Sequence, residues 1–204
     1  MKRAILLAAV LLVFVTFGYA KYTLTSIDYP GANLTHLYGI NNNGVMVGAY
    51  RLPGDANHAM MIKKGKFIPL APGTILATNW SQVFKISDSG NIVGWVGDDY
   101  MHGSLLHKGV LTVLDFPGAS DTYALDMNQH GTIVGYWDIV DADGNVLTQK
   151  GFTWKNGNFN EVDFPGAVST RILGVNTRGD LVGWEGPDPN GVAGSGFLFS
   201  NEQG

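Results

Sequence analysis

The stretch INNNGVMVG, residues 40–48, recurs along the chain as ISDSGNIVG (86–94), MNQHGTIVG (127–135) and VNTRGDLVG (175–183). Each copy contains an apolar residue, a polar turn with a glycine, a short apolar run and a Val-Gly pair. The final glycines are 46, 41 and 48 residues apart, and self-similarity at such a period is typical of repeat architectures. The sequence therefore predicts an array of four repeats rather than several unrelated domains.

Each repeat consists of short strand-like runs separated by Gly, Pro, Asn and Asp, which interrupt any helical period. The run with the Val-Gly pair has apolar residues at consecutive positions, such as Ile92 and Val93 or Ile133 and Val134. Consecutive positions of a strand face opposite sides, so both faces of this strand are expected to be buried. Units that pack face to face would bury them, and the sequence predicts an all-β fold.

The two ends of the chain predict how the array is completed. The fourth repeat lacks a fourth run, whereas residues 22–27 precede DYPG (28–31) as residues 111–114 precede DFPG (115–118). We therefore predict a four-bladed β-propeller closed by the N-terminal strand, with another all-β repeat form as the alternative. The predicted single domain covers 21–204, with repeats at about 28–70, 71–114, 115–162 and 163–200 and the strand 22–27.

A second motif carries a family resemblance. Asp-Phe-Pro-Gly-Ala, with a threonine five residues after the proline, occurs at 115–122 and 163–170, and with tyrosine for phenylalanine at 28–35. Together with the polar turns and the Val-Gly-aromatic pattern, it resembles the HAF family of bacterial extracellular repeats over essentially all of the chain after residue 20. The triplet that names that family survives partly as His58-Ala59-Met60. The resemblance implies export, a bacterial source and a β-propeller-like fold, but no established activity.

The first twenty residues resemble a cleavable secretory signal, with Lys2 and Arg3, an apolar run over 4–17 and a cut after Ala20. That run is shorter than the roughly 20 residues that span a bilayer. We therefore expect a secreted protein, periplasmic or extracellular, with no membrane span after cleavage. Removing two cations changes the formal charge from -4 to -6, and the remaining cations are dispersed, so no nucleic-acid partner is expected. The chain has no cysteine, which excludes disulfides and thiolate metal sites.

One acidic segment suggests a metal ion. Asp138, Asp141, Asp143 and Asn145 surround Gly144 in a long connection between two runs. Their oxygens are ligands of the kind that calcium prefers. An Asp-Gly pair is also an ordinary hairpin turn signal, so a solvated turn is the alternative. No other cofactor is predicted.

Four further residues are candidates for ligand contact. Trp80 and Tyr100 belong to no repeated apolar position, so we expect them to be exposed and able to stack on a sugar ring. Lys85 and Asp126 occupy a position that holds glycine in the first and fourth repeats. We expect these two charges to meet near a central tunnel, as a structural ion pair or as ligand contacts. The aromatic residues after Val-Gly are expected to pack in the core: Trp95, Tyr136 and Trp184.

No nucleophile elbow, zinc pattern or separate carboxylate pair occurs in the sequence, so no catalytic residue is predicted. We predict a secreted, non-catalytic, monomeric module that binds extracellular polysaccharide or cell-envelope components. The alternatives are a structural or adhesive scaffold that binds a surface protein, and a hydrolase with its site at the tunnel mouth. Exposed aromatic residues on one face would favour sugar, a contiguous apolar patch would favour protein, and converging acids with shifted pKa values would favour an enzyme.

Overall fold

A computed structural model describes residues 22–70, 80–97, 99–189 and 193–200. The predicted signal sequence, 1–20, lies outside the described residues. The described chain is all-β, as predicted, and its strands are β1 (Leu34–Ile40), β2 (Met46–Arg51), β3 (Asn57–Lys63), β4 (Lys66–Pro69), β5 (Trp80–Ile86), β6 (Ile92–Gly97), β7 (Met101–His107), β8 (Val110–Leu114), β9 (Asp121–Met127), β10 (Ile133–Val140), β11 (Val146–Lys155), β12 (Asn158–Val162), β13 (Ser169–Val175), β14 (Leu181–Gly186) and β15 (Ser195–Phe199).

The strands form three sheets of four, four and seven strands. β1–β4 and β5–β8 are each an antiparallel meander in sequence order, here called unit 1 and unit 2. The seven-stranded sheet combines β9–β12, unit 3, with β13–β15, unit 4. A parallel contact between Gln149 in β11 and Ser169 in β13 joins the two units. Each unit thus presents its first strand to the unit before it.

The predicted closed four-bladed propeller is wrong. None of the three sheets closes on itself, and the predicted strand 22–27 is not a strand. Tyr22 and Leu24 in this segment are 87% and 96% exposed. At the other end of the chain, β15 pairs with β14 alone in the seven-stranded sheet. Within the described ranges the two ends therefore do not pair. Ring closure depends on the angles between successive units, which no local pattern of apolar residues specifies.

The hydrophobic core lies at the junctions between units. Val47 of unit 1 is in one buried cluster with Val83 and Ile86 of β5. Val93 of unit 2 is clustered in the same way with Ala124, Met127 and other residues of unit 3. The first strand of each later unit therefore covers the second strand of the unit before it. This arrangement explains why consecutive residues of β2, β6 and β10 are apolar.

The Val-Gly signature has a steric cause. The first strand of each unit has a register irregularity opposite the second strand, for example between Val83 and Lys85. There the carbonyl oxygen of the first strand approaches the glycine so closely that a Cβ atom would collide with it, as Gln82 O would with Gly94 and Tyr123 O with Gly135. A Cβ atom at Gly48 or Gly183 would collide with a first-strand carbonyl oxygen in the same way. The recurring glycine is therefore required by close backbone approach.

The Asp-Phe-Pro-Gly motif forms a tight turn that leads into the first strand. Gly118 has φ 85°, and the amide of Ala119 donates a hydrogen bond to Phe116 O at 3.0 Å, as a Pro-Gly turn with positive φ at its third residue requires. The threonine five residues after the proline stabilises the turn, because the Phe116 amide donates a hydrogen bond to Thr122 Oγ1 at 3.0 Å. Tyr29 with Thr35 and Phe164 with Thr170 form the same bond.

Candidate binding sites

An exposed aromatic ring borders a pocket at the junction of units 2 and 3. The pocket has a volume of about 390 Å³ and lies between the start of β7 and the turn at 116–119. Tyr100, which is 54% exposed, forms one wall. His102, Asp115 and Ser120 supply polar groups around it. We call this the Tyr100 pocket. An exposed ring beside several hydrogen-bonding groups suits a flat ligand with many hydroxyls.

A hydrogen bond between two side chains supports one side of the Tyr100 pocket. His102 Nδ1 lies 2.9 Å from Asp115 Oδ1, the first residue of the turn motif. In unit 3, Lys150 and Asp163 form the corresponding pair between the third strand and the next turn. The recurrence indicates that the pair holds the turn against the strand. It also leaves a polar edge on the pocket, because about half of the Asp115 side chain is exposed (53%).

Trp80 lies at the same end of unit 2 as Tyr100. It is 49% exposed and begins β5, where it is opposite Gly97. Gly97 is in turn opposite Met101, which follows Tyr100. Trp80 does not line the Tyr100 pocket, but the strand pairing separates the two aromatic residues by a single intervening strand. The structure thus places both predicted sugar-stacking residues, half exposed, at one end of one sheet.

A second cavity lies where the turns of all four units converge. It has a volume of about 530 Å³, and we call it the turn cavity. Its lining includes Asn42, Lys85, Gln129 and Thr177, one residue from each unit. Lys85 and Asp126, which the sequence also singled out, meet at this end: Lys85 Nζ is 3.2 Å from Asp126 Oδ1. Asp126 also accepts a hydrogen bond from the Val175 amide at 3.0 Å, so it bridges units 2, 3 and 4.

The Lys85–Asp126 pair stands where another inter-unit bond is missing. The Asn41 side chain donates to Ser87 O at 3.0 Å, from unit 1 to unit 2, and the Asn128 side chain donates to Asn176 O at 3.0 Å, from unit 3 to unit 4. Ser87 holds the corresponding position in unit 2 and has no side-chain amide to donate this bond. The ion pair links units 2 and 3 instead. Its two charges are therefore explained by the architecture before any ligand is considered.

The predicted calcium ligands are divided between two places. Asp141 Oδ1 accepts hydrogen bonds from the Asn145 and Asp143 amides at 2.8 and 2.9 Å, so it shapes the turn between β10 and β11. Hydrogen bonds lower the pKa of Asp141: the largest effect comes from the Asn145 side chain, and the Asn145 backbone amide follows. Asp138 lies back in β10, is 2% exposed and pairs in register with Asp121 and Gln149. The described residues hold no group of three acidic or histidine side chains suited to a metal ion, and calcium binding stays a prediction.

A row of planar side chains crosses units 2, 3 and 4. Tyr123 stacks on Tyr136 with ring centroids 4.7 Å apart, and Trp95 meets Tyr123 edge-on at 6.3 Å. The Arg171 guanidinium lies 5.0 Å from the centre of the Tyr136 ring and 5.3 Å from that of Trp184, within the range of cation–π attraction. Burial raises the pKa of Tyr123 and Tyr136, so both hydroxyls stay neutral.

Sequence reasoning found only part of this row. It expected Trp95, Tyr136 and Trp184 to pack in the core, and all three are partly buried. It missed Tyr123 and Arg171, which lie directly opposite Tyr136 and Trp184 in the strand pairs. A signal was present, because the corresponding position of all four first strands holds a polar or aromatic side chain directly after a Thr or Ser and directly before an apolar residue: His36, Gln82, Tyr123 and Arg171.

Two carboxyl groups meet beside this row. Burial, followed by the nearby charge of Asp121, raises the pKa of Asp138 to about 7. The Gln149 side chain forms a hydrogen bond with Asp138 and accepts another from Arg171 Nε at 2.7 Å. A raised carboxyl pKa is a frequent feature of catalytic sites, but Asp138 is 2% exposed. A substrate in solvent does not reach it, and the network ties unit 3 to unit 4.

Comparison of the chain with models of protein families and with curated proteins finds no match. The resemblance to HAF repeats therefore stays a prediction from the motifs. Among the described residues there is no helix with the length and apolar character needed to cross a bilayer.

Proposed function

We propose that this chain is a secreted, non-catalytic module that binds extracellular polysaccharide or cell-envelope glycans through the Tyr100 pocket. The observation that carries the proposal is the half-exposed Tyr100 ring on a pocket of about 390 Å³ with His102, Asp115 and Ser120 around it. A sugar presents an apolar face to an aromatic ring and hydroxyls to polar neighbours. The half-exposed Trp80 at the same end of the sheet offers a second stacking point for a longer chain.

Export and the family resemblance enter the proposal as predictions from the sequence. The leader pattern at 1–20 and the motifs shared with HAF repeats favour a periplasmic or extracellular location, where glycans are abundant. Neither alternative function gains comparable support at this pocket. The carboxyl group with the raised pKa is buried away from solvent, and the most exposed apolar side chains, such as Leu24 and Val110, do not line the Tyr100 pocket.

A glycan-binding assay tests the proposal. The protein is titrated with a panel of bacterial and plant polysaccharides, first with calcium and then with a chelator, and saturable binding to at least one is expected. Tyr100→Ala is expected to weaken that binding about tenfold, the order of magnitude of one aromatic contact. Leu147→Ala is the control, because Leu147 is equally exposed at 54% and does not line the pocket.

The possible results separate clearly. Loss of binding in Tyr100→Ala but not in Leu147→Ala supports the pocket as the glycan site. Equal binding by Tyr100→Ala and the unaltered protein contradicts the assignment to this pocket, and no saturable binding to any glycan contradicts the proposed function. Binding that disappears with the chelator would implicate the turn with Asp141, Asp143 and Asn145.

A further inference from the structure

At the two ends of the array, side chains are exposed at repeat positions whose equivalents inside the array are buried. Val47, Val93 and Val134 are 0% exposed, because the first strand of the next unit covers them. Val182 holds the same position in unit 4 and is 49% exposed. Leu198 in the neighbouring strand β15 is 64% exposed. The last unit therefore presents the face that every other unit buries at a junction.

The first strand of unit 1 is uncovered in the complementary way. Ile86 and Met127 pack against the preceding unit and are 4% and 5% exposed. Ile40 holds the same position in β1 and is 65% exposed. Leu37 is likewise 38% exposed, whereas Ala124 in the matching place is at 0%. Among the described residues, β1 thus covers no preceding unit, and Ile40 instead lines the turn cavity.

The strand pairing at the two ends of the array also differs from that of the complete units. In units 1 to 3 a fourth strand pairs with the third. In unit 4 the third strand, β15, has no such partner among the described residues. Residues 22–27 precede the first turn motif as a fourth strand precedes the later ones, yet they form no strand with any part of the chain that the structure describes. Ile27 packs against the core of unit 1, and Leu24 is exposed. An unpaired strand edge is a template for another strand.

We propose that a second copy of this chain docks its residues 22–40 on unit 4, and so repeats between molecules the junction that joins units within one molecule. Its residues 22–27 add to the free edge of β15 as a fourth strand, and its β1 covers Val182. The association is head to tail, because the surface that docks and the surface that receives are different. This differs from the monomer expected from the sequence.

The internal junctions give the register of the added strand. Gly103 is opposite Leu114, Leu105 opposite Thr112 and Leu106 opposite Leu111. The same alignment in unit 4 places Gly196 opposite Ile27 and Leu198 opposite Thr25. It places Phe199 opposite Leu24, an apolar pair that matches Ile62 with Phe67 and Trp154 with Phe159. The exposed side chains at both ends would then find the kind of partner that the other three units provide.

Light scattering on the full chain, expressed with its own first twenty residues, tests the association. The expected mass at tens of micromolar is that of two or more chains. Leu24→Asp is expected to reduce it to that of one chain, because a charge would enter the apolar contact with Phe199. Leu147→Asp is the matched control and should leave the mass unchanged, since Leu147 is exposed and lies in β11 of unit 3, outside residues 22–40 and unit 4. A single-chain mass for the unaltered protein, or equal masses for the two variants, overturns the proposal.

Disulfide trapping tests the register. The chain has no cysteine, so Thr25→Cys in one preparation and Leu198→Cys in a second, tagged preparation can form a mixed disulfide only between two copies. We expect mild oxidation of the mixture to give the mixed product in at least tenfold excess over that from Thr25→Cys with tagged Leu147→Cys. Equal yields from the two mixtures would overturn the proposed docking.

Discussion

The environment of a single side chain in this protein depends on the residues opposite it in the neighbouring strands and turns. Asp138 shows this most clearly: a turn-like sequence context suggested a calcium ligand, but strand pairing turns the side chain toward Asp121 and Gln149. Tyr50 and Trp137 are a second example, since each stacks on the aromatic residue of its turn motif, with ring centroids 3.7 Å apart for Tyr29 and 4.6 Å for Phe116. The role of each of these side chains therefore follows from the residue that it contacts.

The raised pKa of Asp138 makes stability depend on pH. The folded protein holds the proton up to a pH of about 7, whereas the unfolded chain releases it near 3.8. The folded state therefore binds more protons between these values, and its free energy of unfolding should fall as the pH rises through this window. Asp138→Asn cannot ionise, so we expect it to remove this part of the pH dependence and to be more stable than the unaltered protein at pH 8.

Urea denaturation at pH 5 and pH 8 measures the effect, with Asp143→Asn in the exposed turn as the control. The difference in midpoint between the two pH values should shrink in Asp138→Asn and persist in Asp143→Asn. An unchanged pH dependence in Asp138→Asn would show that this carboxyl group does not carry the shift.

The most informative element is the turn that precedes the first strands of units 1, 3 and 4. Its parts are visible in the sequence as Asp-aromatic-Pro-Gly-Ala and a threonine, and the structure supplies the bond that links the two ends of the motif. Thr122 is 1% exposed and its hydroxyl accepts from the Phe116 amide. The same turn forms one wall of the Tyr100 pocket, so the repeat motif shapes the candidate binding site as well as the fold.

Thr122→Val keeps the shape of the side chain and removes the hydrogen-bond acceptor. It leaves the Phe116 amide without its threonine partner, which we expect to cost about 1–3 kcal/mol of the free energy of unfolding. Thr112→Val, at an exposed position of β8, is the control and should change stability by less than about 0.5 kcal/mol. Urea denaturation compares the two, and equal effects would contradict a structural role for the hydroxyl.

At the scale of the whole molecule, the array is open and its two ends are complementary. Units 3 and 4 share a sheet through Gln149 and Ser169, whereas the earlier junctions join separate sheets. Every internal junction buries the second strand of one unit beneath the first strand of the next. The exposed Val182 and Ile40 are the two halves of a junction that the single chain does not form.

Head-to-tail association should make the melting temperature depend on protein concentration, because a partner that binds only the folded state stabilises it by mass action. We expect the melting temperature of the full chain to rise as its concentration increases from about 1 to 100 µM, and that of Leu24→Asp to stay constant. Calorimetry or tryptophan fluorescence records both. Parallel behaviour of the two proteins would count against the association.

The sequence by itself determined the all-β class, the positions of most strands and the residues of the recurring turns. These features depend on neighbours within one repeat: the turn glycine, the consecutive apolar positions and the Val-Gly pair appear in every copy. Tertiary structure alone decided that the ring does not close and that Tyr123 and Arg171 join one row of planar side chains. It also decided that the Lys85–Asp126 pair takes the place of an asparagine hydrogen bond between units 2 and 3. Each of these depends on the distance and angle between units, and a pattern within one repeat carries no information about either.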